Sequence, residues 1–381
     1  MLSTCLPPEI DLSPTPPAER TLRVLHVVNG EYYAGAERVQ DLLAQHLPQF
    51  GCEVGFVCVK PDRFPTARHC CDVPLETVRV RHPWSRRAIA RLANIVRDGG
   101  YDLLHSHTPR SAWAALAAGR RTGRPVIHTL HDLFLSQGGS VARRLFHRHT
   151  IGRLRHADHV TAVSPETLEL AKQLRLGGAR SMVRNGVPAA DVALDRPAPE
   201  VWTIGTVSLL RPCKGVEVLI RAMARLRQQS QPVRATIVGR FYTRKYEREV
   251  RALVDALGVG DVIDFVGFSD DVPGHLETFD LFTLPSIGPE GLPMVLLEAM
   301  AHGLPTIGSD VPGIGDIVHD GADGRLVPPG DDRALADAVA DFMGGRLDRQ
   351  AMAQAARARH AAEFSATRMA EEMAQIYRRV V

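Results

Sequence analysis

Between Leu281 and Ser309 the chain reads LFTLPSIGPEGLPMVLLEAMAHGLPTIGS, and this stretch carries a complete strand, helix, strand signal. Leu281 to Pro285 is an apolar run of strand length, and Pro305 to Ser309 is a second. Between them, Pro293 suits the first helical position and Gly303 the residue just past a helix end, which bounds a helix from Pro293 to His302. Its sequence PMVLLEAMAH is apolar nearly all round, so the helix is expected to be buried. Two strands joined through a helix build a parallel sheet.

The same rhythm extends in both directions. Upstream, strands at Arg23–Val28, Val54–Val59, Thr77–Val80, Leu103–His105, Val126–Thr129 and His159–Val163 alternate with helices at Gly35–Leu47, Trp84–Arg97, Ser111–Arg121, Ser140–Arg155 and Pro165–Leu174. Around the opening stretch, strands at Val201–Val207, Arg234–Gly239 and Val262–Val266 alternate with helices at Val216–Arg227, Arg244–Leu257 and Arg333–Met343. The pattern predicts an α/β protein of two doubly wound, Rossmann-like domains in tandem, and 381 residues suffice for two cores. The proline-bearing, aperiodic segment Ala189 to Pro199 marks the change of domain. The expected organisation is a disordered Pro/Ser/Thr-rich lead-in over residues 1–20, a first domain over 21–195, a second over 196–362 and a final helical segment over 363–381. Ligands of such sheets bind beyond the carboxyl ends of the strands, which directs attention to the cleft between the domains.

No apolar run reaches the eighteen or so residues of a membrane-spanning helix, and the N-terminus lacks a basic-then-apolar signal, so a cytoplasmic protein is expected. The six cysteines, Cys5, Cys52, Cys58, Cys70, Cys71 and Cys213, form no CxxC pair and no zinc spacing, and are expected to be reduced. The net charge of +3 conceals an asymmetry: residues 1–198 carry +8 and the remainder −5. Much of the excess lies in the acid-free stretches Arg79 to Arg97 and Arg143 to Arg155. These suit an anionic partner such as a membrane surface, a lipid diphosphate or an acidic saccharide, and equally suit solvated helix faces. No nucleic-acid partner is expected.

Glu298 is the sole acid of the apolar helix, and a buried carboxylate needs a hydrogen-bonding partner or a ligand hydroxyl. Glu290 precedes the helix on a loop kept open by Gly288, Pro289 and Gly291. Glu298 lies roughly 7 to 8 Å along the axis from Pro293. Between the carboxylates, the free N–H groups at Leu292, Met294 and Val295 form an anion site at the helix start. A sugar, a diphosphate and a ribose would fit this order; a capped buried helix with one paired Glu fits it too.

In the context EGLPMVLLEAMAHGLP, a Glu, seven residues and a second Glu resemble the signature of the large retaining glycosyltransferase family 4. The resemblance covers nearly the whole chain beyond the lead-in. It implies a GT-B fold, with Glu290 on the hydroxyls of the transferred sugar, Glu298 on the ribose of a nucleotide-sugar donor, and Gly291, Leu292, Pro293, Met294 and Val295 around the diphosphate.

Other segments fall into place beside it. In TVSLLRPCKGVEVLI, Arg211 and Lys214 sit at the carboxyl end of the first strand of the second domain, suited to the charge of a departing diphosphate without a metal, or simply to a solvated loop. A Lys-Gly pair after an Arg resembles the family's loop, although the frequent Arg position is Ser208 here, and Arg211 is the substitute. NGEYYAGAERV, with Gly35 opening a helix, resembles the family's Gly-Gly-x-Glu-Arg loop, with Ala34 in place of the first Gly.

His105 and His107 in LLHSHTPR could share a metal, but no third ligand is evident in the sequence. In HTLHD, His131 resembles the family histidine that approaches sugar and acceptor. Asn185 in NGV, Gly239 in VGRF and Phe268 in FVGF resemble the crossover, the donor wall and the base contact, and the last helix, Thr367 to Arg379, would cross back onto the first domain.

The resemblance thus implies retaining transfer of a hexose-type sugar, by family preference from a UDP-sugar, to a glycan or lipid-linked acceptor in polysaccharide or glycolipid assembly. The transition state would be oxocarbenium-like and the departing diphosphate would take the acceptor's proton. His131, Arg211, Lys214 and Glu290 are the candidate catalytic residues; Gly35, Gly239, Phe268, Gly291 to Val295 and Glu298 are the candidate donor contacts; no metal or cofactor is expected. A nucleotide-sugar epimerase or phosphorylase of the same fold, and a non-catalytic nucleotide-sugar-binding protein, are the competing functions. A nicotinamide dehydrogenase is disfavoured, since no GxGxxG follows the first strand of either domain.

Overall fold

The computed structural model describes residues 20–80, 85–133 and 141–381. The lead-in up to residue 19, Cys5, and the expected first residues of the helices at Trp84 and Ser140 lie outside the described residues.

Two parallel sheets form the framework. The first runs β1 (Leu22–Val28), β2 (Cys52–Cys58), β3 (Leu75–Thr77), β4 (Leu103–Ser106), β5 (Val126–Leu130), β6 (His159–Ala162) and β7 (Ala179–Met182) along the chain, in spatial order β3-β2-β1-β4-β5-β6-β7. The second runs β8 (Trp202–Val207), β9 (Val233–Val238), β10 (Ile263–Gly267), β11 (Leu281–Leu284), β12 (Thr306–Ser309) and β13 (Gly324–Val327), in order β10-β9-β8-β11-β12-β13. In both, the chain reverses its direction of growth beside the first strand, between β1 and β4 and between β8 and β11. That switch point opens a crevice at the carboxyl ends of the strands. Val24, Val27, Ile204 and Ile237 are wholly buried, as expected of strands covered on both faces.

The opening stretch forms the expected unit, with one shift. The helix occupies Met294–Ala301, and Pro293 is its N-cap with extended backbone (φ −68°, ψ 113°), so proline stands one position before the helix instead of within it. Gly303 takes the left-handed conformation after the helix (φ +62°). Elements with weak patterns escape the sequence reading: β7 (ARSM) is a short partly exposed edge, β13 (GRLV) follows a turn, and the helix Arg349–Glu363 is mostly alanine and charge.

A contiguous apolar cluster joins the two halves, from Val24 and Leu43 through Met369, Met373 and Tyr377 to Leu296 and Ile314. Its bridge is the last helix, Ala366–Val380, whose buried Met369, Ala370, Met373, Ala374 and Tyr377 recur at helical spacing. Val187 donates its amide to Phe364 O and accepts from Ala366 N, tying the chain's first crossing between domains to its second. Among the described residues no helix is long and apolar enough to cross a membrane. Cys52, Cys58, Cys70, Cys71 and Cys213 are free thiols, and burial pushes Cys58 and Cys70 up to about 12.

Candidate active site

The loop after β8 and the loop after β11 are stitched together. Ile287 donates its amide to Cys213 O at 2.9 Å. Gly215, at φ +65°, passes so close to Pro285 that a Cβ would stand 1.9 Å from its carbonyl oxygen. Only glycine fits there, and its turn aims the preceding Lys214 across to the second loop. Lys214 Nζ lies 2.7 Å from both Glu290 Oε1 and Glu290 Oε2, and Ser286 Oγ donates to Oε1 at 2.6 Å. Lys214 and Glu290 side chains are 13% and 14% exposed, so the pair is screened far less than a surface ion pair. The backbone of Glu290 is fixed as well: its amide donates to Pro312 O, and a Cβ on Gly313 would lie 2.4 Å from its carbonyl. Ser286 and Gly313 were not singled out from the sequence.

Beyond Glu290 the amide of Leu292, just ahead of the N-cap, and those of Met294 and Val295, in the first helical turn, meet no acceptor among the described residues. One and a half turns on, Glu298 is buried. Its Oε1 pairs with the Arg38 guanidinium from the first domain, whereas Oε2 is buried with no partner among the described residues. The partner that burial demands is therefore half supplied, and one acceptor remains open.

The Arg211 side chain is not brought to this cluster: the residue is exposed, its guanidinium has no ion pair or hydrogen bond among the described residues, and only its carbonyl is engaged, by the Lys214 amide. Ser208, at the frequent Arg position, abuts Gly239, where a Cβ would stand 1.8 Å from Ser208 O, and Gly239 donates to Gly267 O at 2.7 Å. Phe268 follows Gly267 at the carboxyl end of β10 and is 68% exposed, leaving an aromatic side chain open for stacking.

From the first domain, three contacts close on the helix start. Gly291 meets the backbone of His131 so tightly that a Cβ would lie 1.9 Å from His131 O. Asn185 Nδ2 donates to Leu292 O at 3.3 Å. Gly35 faces Met294, with 3.8 Å between a Cβ position and Met294 Cγ. Gly35 opens the helix Gly35–His46, whose N-cap, Ala34, supplies no side-chain bond. Burial pushes the Glu37 carboxyl in its first turn up to about 7, against the opposing pull of the Glu37 and Ala34 amides. Gly35 itself lies where the helix start of the first domain meets Met294 of the second.

Behind His131 stands a bank of imidazoles. His107 Nδ1 is 2.8 Å from His131 Nε2. His105 bonds Tyr377 OH at 2.7 Å and Thr129 Oγ1 at 2.8 Å, Tyr377 OH also reaches His26 Nε2 at 3.2 Å, and Ser106 Oγ meets His128 Nδ1 at 3.0 Å. Burial is the chief cause that lowers them all: His26 and His128 to about 3, His131 to about 4, His105 and His107 well below the ordinary range. The third metal ligand missing from the sequence reading exists: His26, His105 and His107 offer nitrogens within 4.8 Å of one another. His105, however, spends both nitrogens on Tyr377 and Thr129, so among the described residues of this trio only His26 Nδ1 and His107 Nε2 are without a partner, one donor short of the set.

Comparison with known proteins follows the division into two sheets. Residues 33–191 match the model described as Glycosyltransferase Family 4, and residues 196–359 match Glycosyl transferases group 1. The phosphatidyl-myo-inositol mannosyltransferase of Mycobacterium leprae is 29% identical over 291 residues, covering 73% of this chain and 74% of that protein. The putative glycosyltransferase EpsD of Bacillus subtilis is 27% identical over 362 residues, covering 88% and 92%. In three dimensions, HepE of Anabaena, solved in complex with UDP and glucose, superposes with a TM-score of 0.79 at 22% identity, over 94% of this chain and all of that one.

Proposed function

Because the chain belongs to glycosyltransferase family 4 and has the GT-B fold, we propose that this enzyme is a retaining transferase whose nucleotide-sugar donor is held mainly by the second domain. The observation that carries the reading is the order of groups along one loop and one helix: the Lys214–Glu290 pair, three amides without acceptors, and the unpartnered Oε2 of Glu298. Glu290 takes hydroxyls of the transferred sugar, the amides of Leu292, Met294 and Val295 take the diphosphate, and Glu298 Oε2 accepts from the ribose. Phe268 supplies a stacking face for the base.

When the diphosphate enters, Lys214 is shared between it and Glu290. This loosens the bidentate grip on the carboxylate and turns the cation toward the oxygens on which charge builds as the sugar leaves. Arg211, unengaged and exposed, can join it. The sugar departs through an oxocarbenium-like state, the acceptor hydroxyl attacks from the leaving-group face, and the diphosphate takes its proton. Since two cationic side chains serve the phosphates, the transfer needs no metal.

UDP is the proposed nucleotide; structures of HepE with UDP and with UDP-glucose support it by fold. The acceptor is proposed to be a glycan or a lipid-linked saccharide. The exposed Arg86, Arg87 and Arg91 on the helix Arg86–Asp98 of the first domain fit an anionic acceptor or a peripheral contact with an anionic membrane.

A panel of nucleotide sugars, scored by thermal shift and hydrolysis with chelator present, tests the reading. A binding nucleotide at a hundred times its Kd stabilises the fold by about 2.7 kcal/mol. UDP-sugars are expected to raise the melting temperature and be hydrolysed slowly. No shift with any nucleotide, or hydrolysis that only added metal restores, contradicts it.

A further inference from the structure

We infer that His107 is the positioning residue of His131: it donates its Nδ1 proton to His131 Nε2 and so fixes His131 as the Nδ1–H tautomer, which offers an N–H to the cleft. His107 follows β4 and His131 follows β5, on neighbouring strands, and the two nitrogens are 2.8 Å apart with rings nearly parallel, 25° between planes. Burial keeps both rings neutral at physiological pH, so each carries one proton, and one of the two facing nitrogens must be bare.

The other end of His107 decides which. His107 is 3% exposed, and its Nε2 is buried with no partner among the described residues. A proton on Nε2 would leave an N–H buried and unpaired, the rarer and more costly defect. A proton on Nδ1 leaves only a bare lone pair there and makes Nδ1 the donor. Among the described residues no neighbouring group offers an alternative: Ser106 Oγ is spent on His128, Thr129 Oγ1 on His105 and Thr161, and His26 Nδ1 makes no hydrogen bond to it. His131 Nε2 is thus the acceptor, and its proton sits on Nδ1, the nitrogen without a partner among the described residues.

The consequence concerns the proposed transfer and rests on that reading. With Nε2 tied back and Nδ1 protonated, His131 donates a hydrogen bond to an oxygen in the cleft and has no free lone pair with which to take the acceptor's proton. It orients a hydroxyl, and the proton leaves by the diphosphate.

The test begins on the unliganded protein, independently of any donor. Full-length protein with 15N-labelled histidine is examined by long-range 1H–15N correlation at neutral pH, His131 being assigned with His131→Gln. The result expected is a protonated-type Nδ1 and a bare-type Nε2 for both His107 and His131. The reverse pattern at His131 overturns the inference. In the transfer assay, His107→Leu should lower kcat about tenfold with donor KM little changed, the weight of one misplaced hydrogen bond, and His107→Asn, which keeps an N–H near the Nδ1 position, should restore most of it. Equal activity of the two variants overturns the positioning role. Absence of transfer with every donor would instead overturn the proposed function, while the tautomer measurement stands.

Discussion

Lys214 and Glu290, on the loops after β8 and β11, form a bidentate ion pair with 2.7 Å from Nζ to each carboxylate oxygen. The pair lets an ammonium and a carboxylate from two facing loops share one largely buried place. A largely buried carboxylate and a largely buried ammonium neutralise each other, and Ser286 satisfies one remaining lone pair. Neither partner can be removed without leaving the other's charge poorly solvated. Gly215 is part of the device, since its contact with the Pro285 carbonyl sets the direction from which Lys214 enters.

Arg38 and Glu298 make the corresponding link between the domains, and it leads to a prediction about affinity. Arg38 holds Oε1, leaving Oε2 buried without a partner among the described residues. Arg38→Ala should weaken nucleotide binding about tenfold, or about 1.4 kcal/mol, by freeing the carboxylate to rotate, and Glu298→Ala should weaken it further. Calorimetric titration with UDP measures both; an Arg38→Ala protein that binds as well as wild type removes Arg38 from the site.

Gly291 provides a prediction about closure. A methyl at this position would overlap the His131 carbonyl, 1.9 Å away in the other domain. Gly291→Ala should leave each domain folded while holding the halves apart, lowering transfer more than tenfold and increasing the radius of gyration in solution scattering. Unchanged scattering and unchanged activity together would show that the domains need not approach this closely.

The imidazole bank makes a prediction about acid. Folded His26 and His128 titrate near 3, against about 6.5 in the unfolded chain, so between those values the unfolded state binds more protons. Stability is fully present above about pH 6.5 and is lost as pH falls toward 3, by about 1.4 kcal/mol per pH unit for each such histidine. Glu37, raised to about 7, acts oppositely between its ordinary range and 7, but it is one group against several. The melting temperature should fall steeply from pH 6.5 to pH 4.5; a flat profile would mean that the histidines are not buried as described.

The framework is legible in the sequence because buried parallel strands write continuous apolar runs, and glycine and proline punctuate the helix of the opening stretch on both sides. Glu290 and Lys214 are legible because they stand next to glycines at close backbone crossings, and Glu298 because it is the sole acid of an apolar helix. What eluded the sequence is pairing across the cleft. Arg38 is visible as a charge after Gly35, but nothing local joins it to Glu298. His26 sits within a strand like any buried residue, and its meeting with His105, His107 and Tyr377 depends on β1 lying beside β4 and on the last helix returning. Ser208 illustrates the converse: the sequence notes the missing arginine, and the structure shows Ser208 backed against Gly239 with Arg211 still in solvent.

In the proposed transfer, the second domain's own cation, Lys214, serves the departing diphosphate. Single-turnover transfer by Lys214→Ala at saturating donor, with chelator present and the fold checked by its melting curve, tests it most directly. A loss of about a hundredfold to a thousandfold is expected from a protein that still melts cooperatively, in line with removing a group that stabilises charge in the transition state. Turnover within a few-fold of wild type would contradict it.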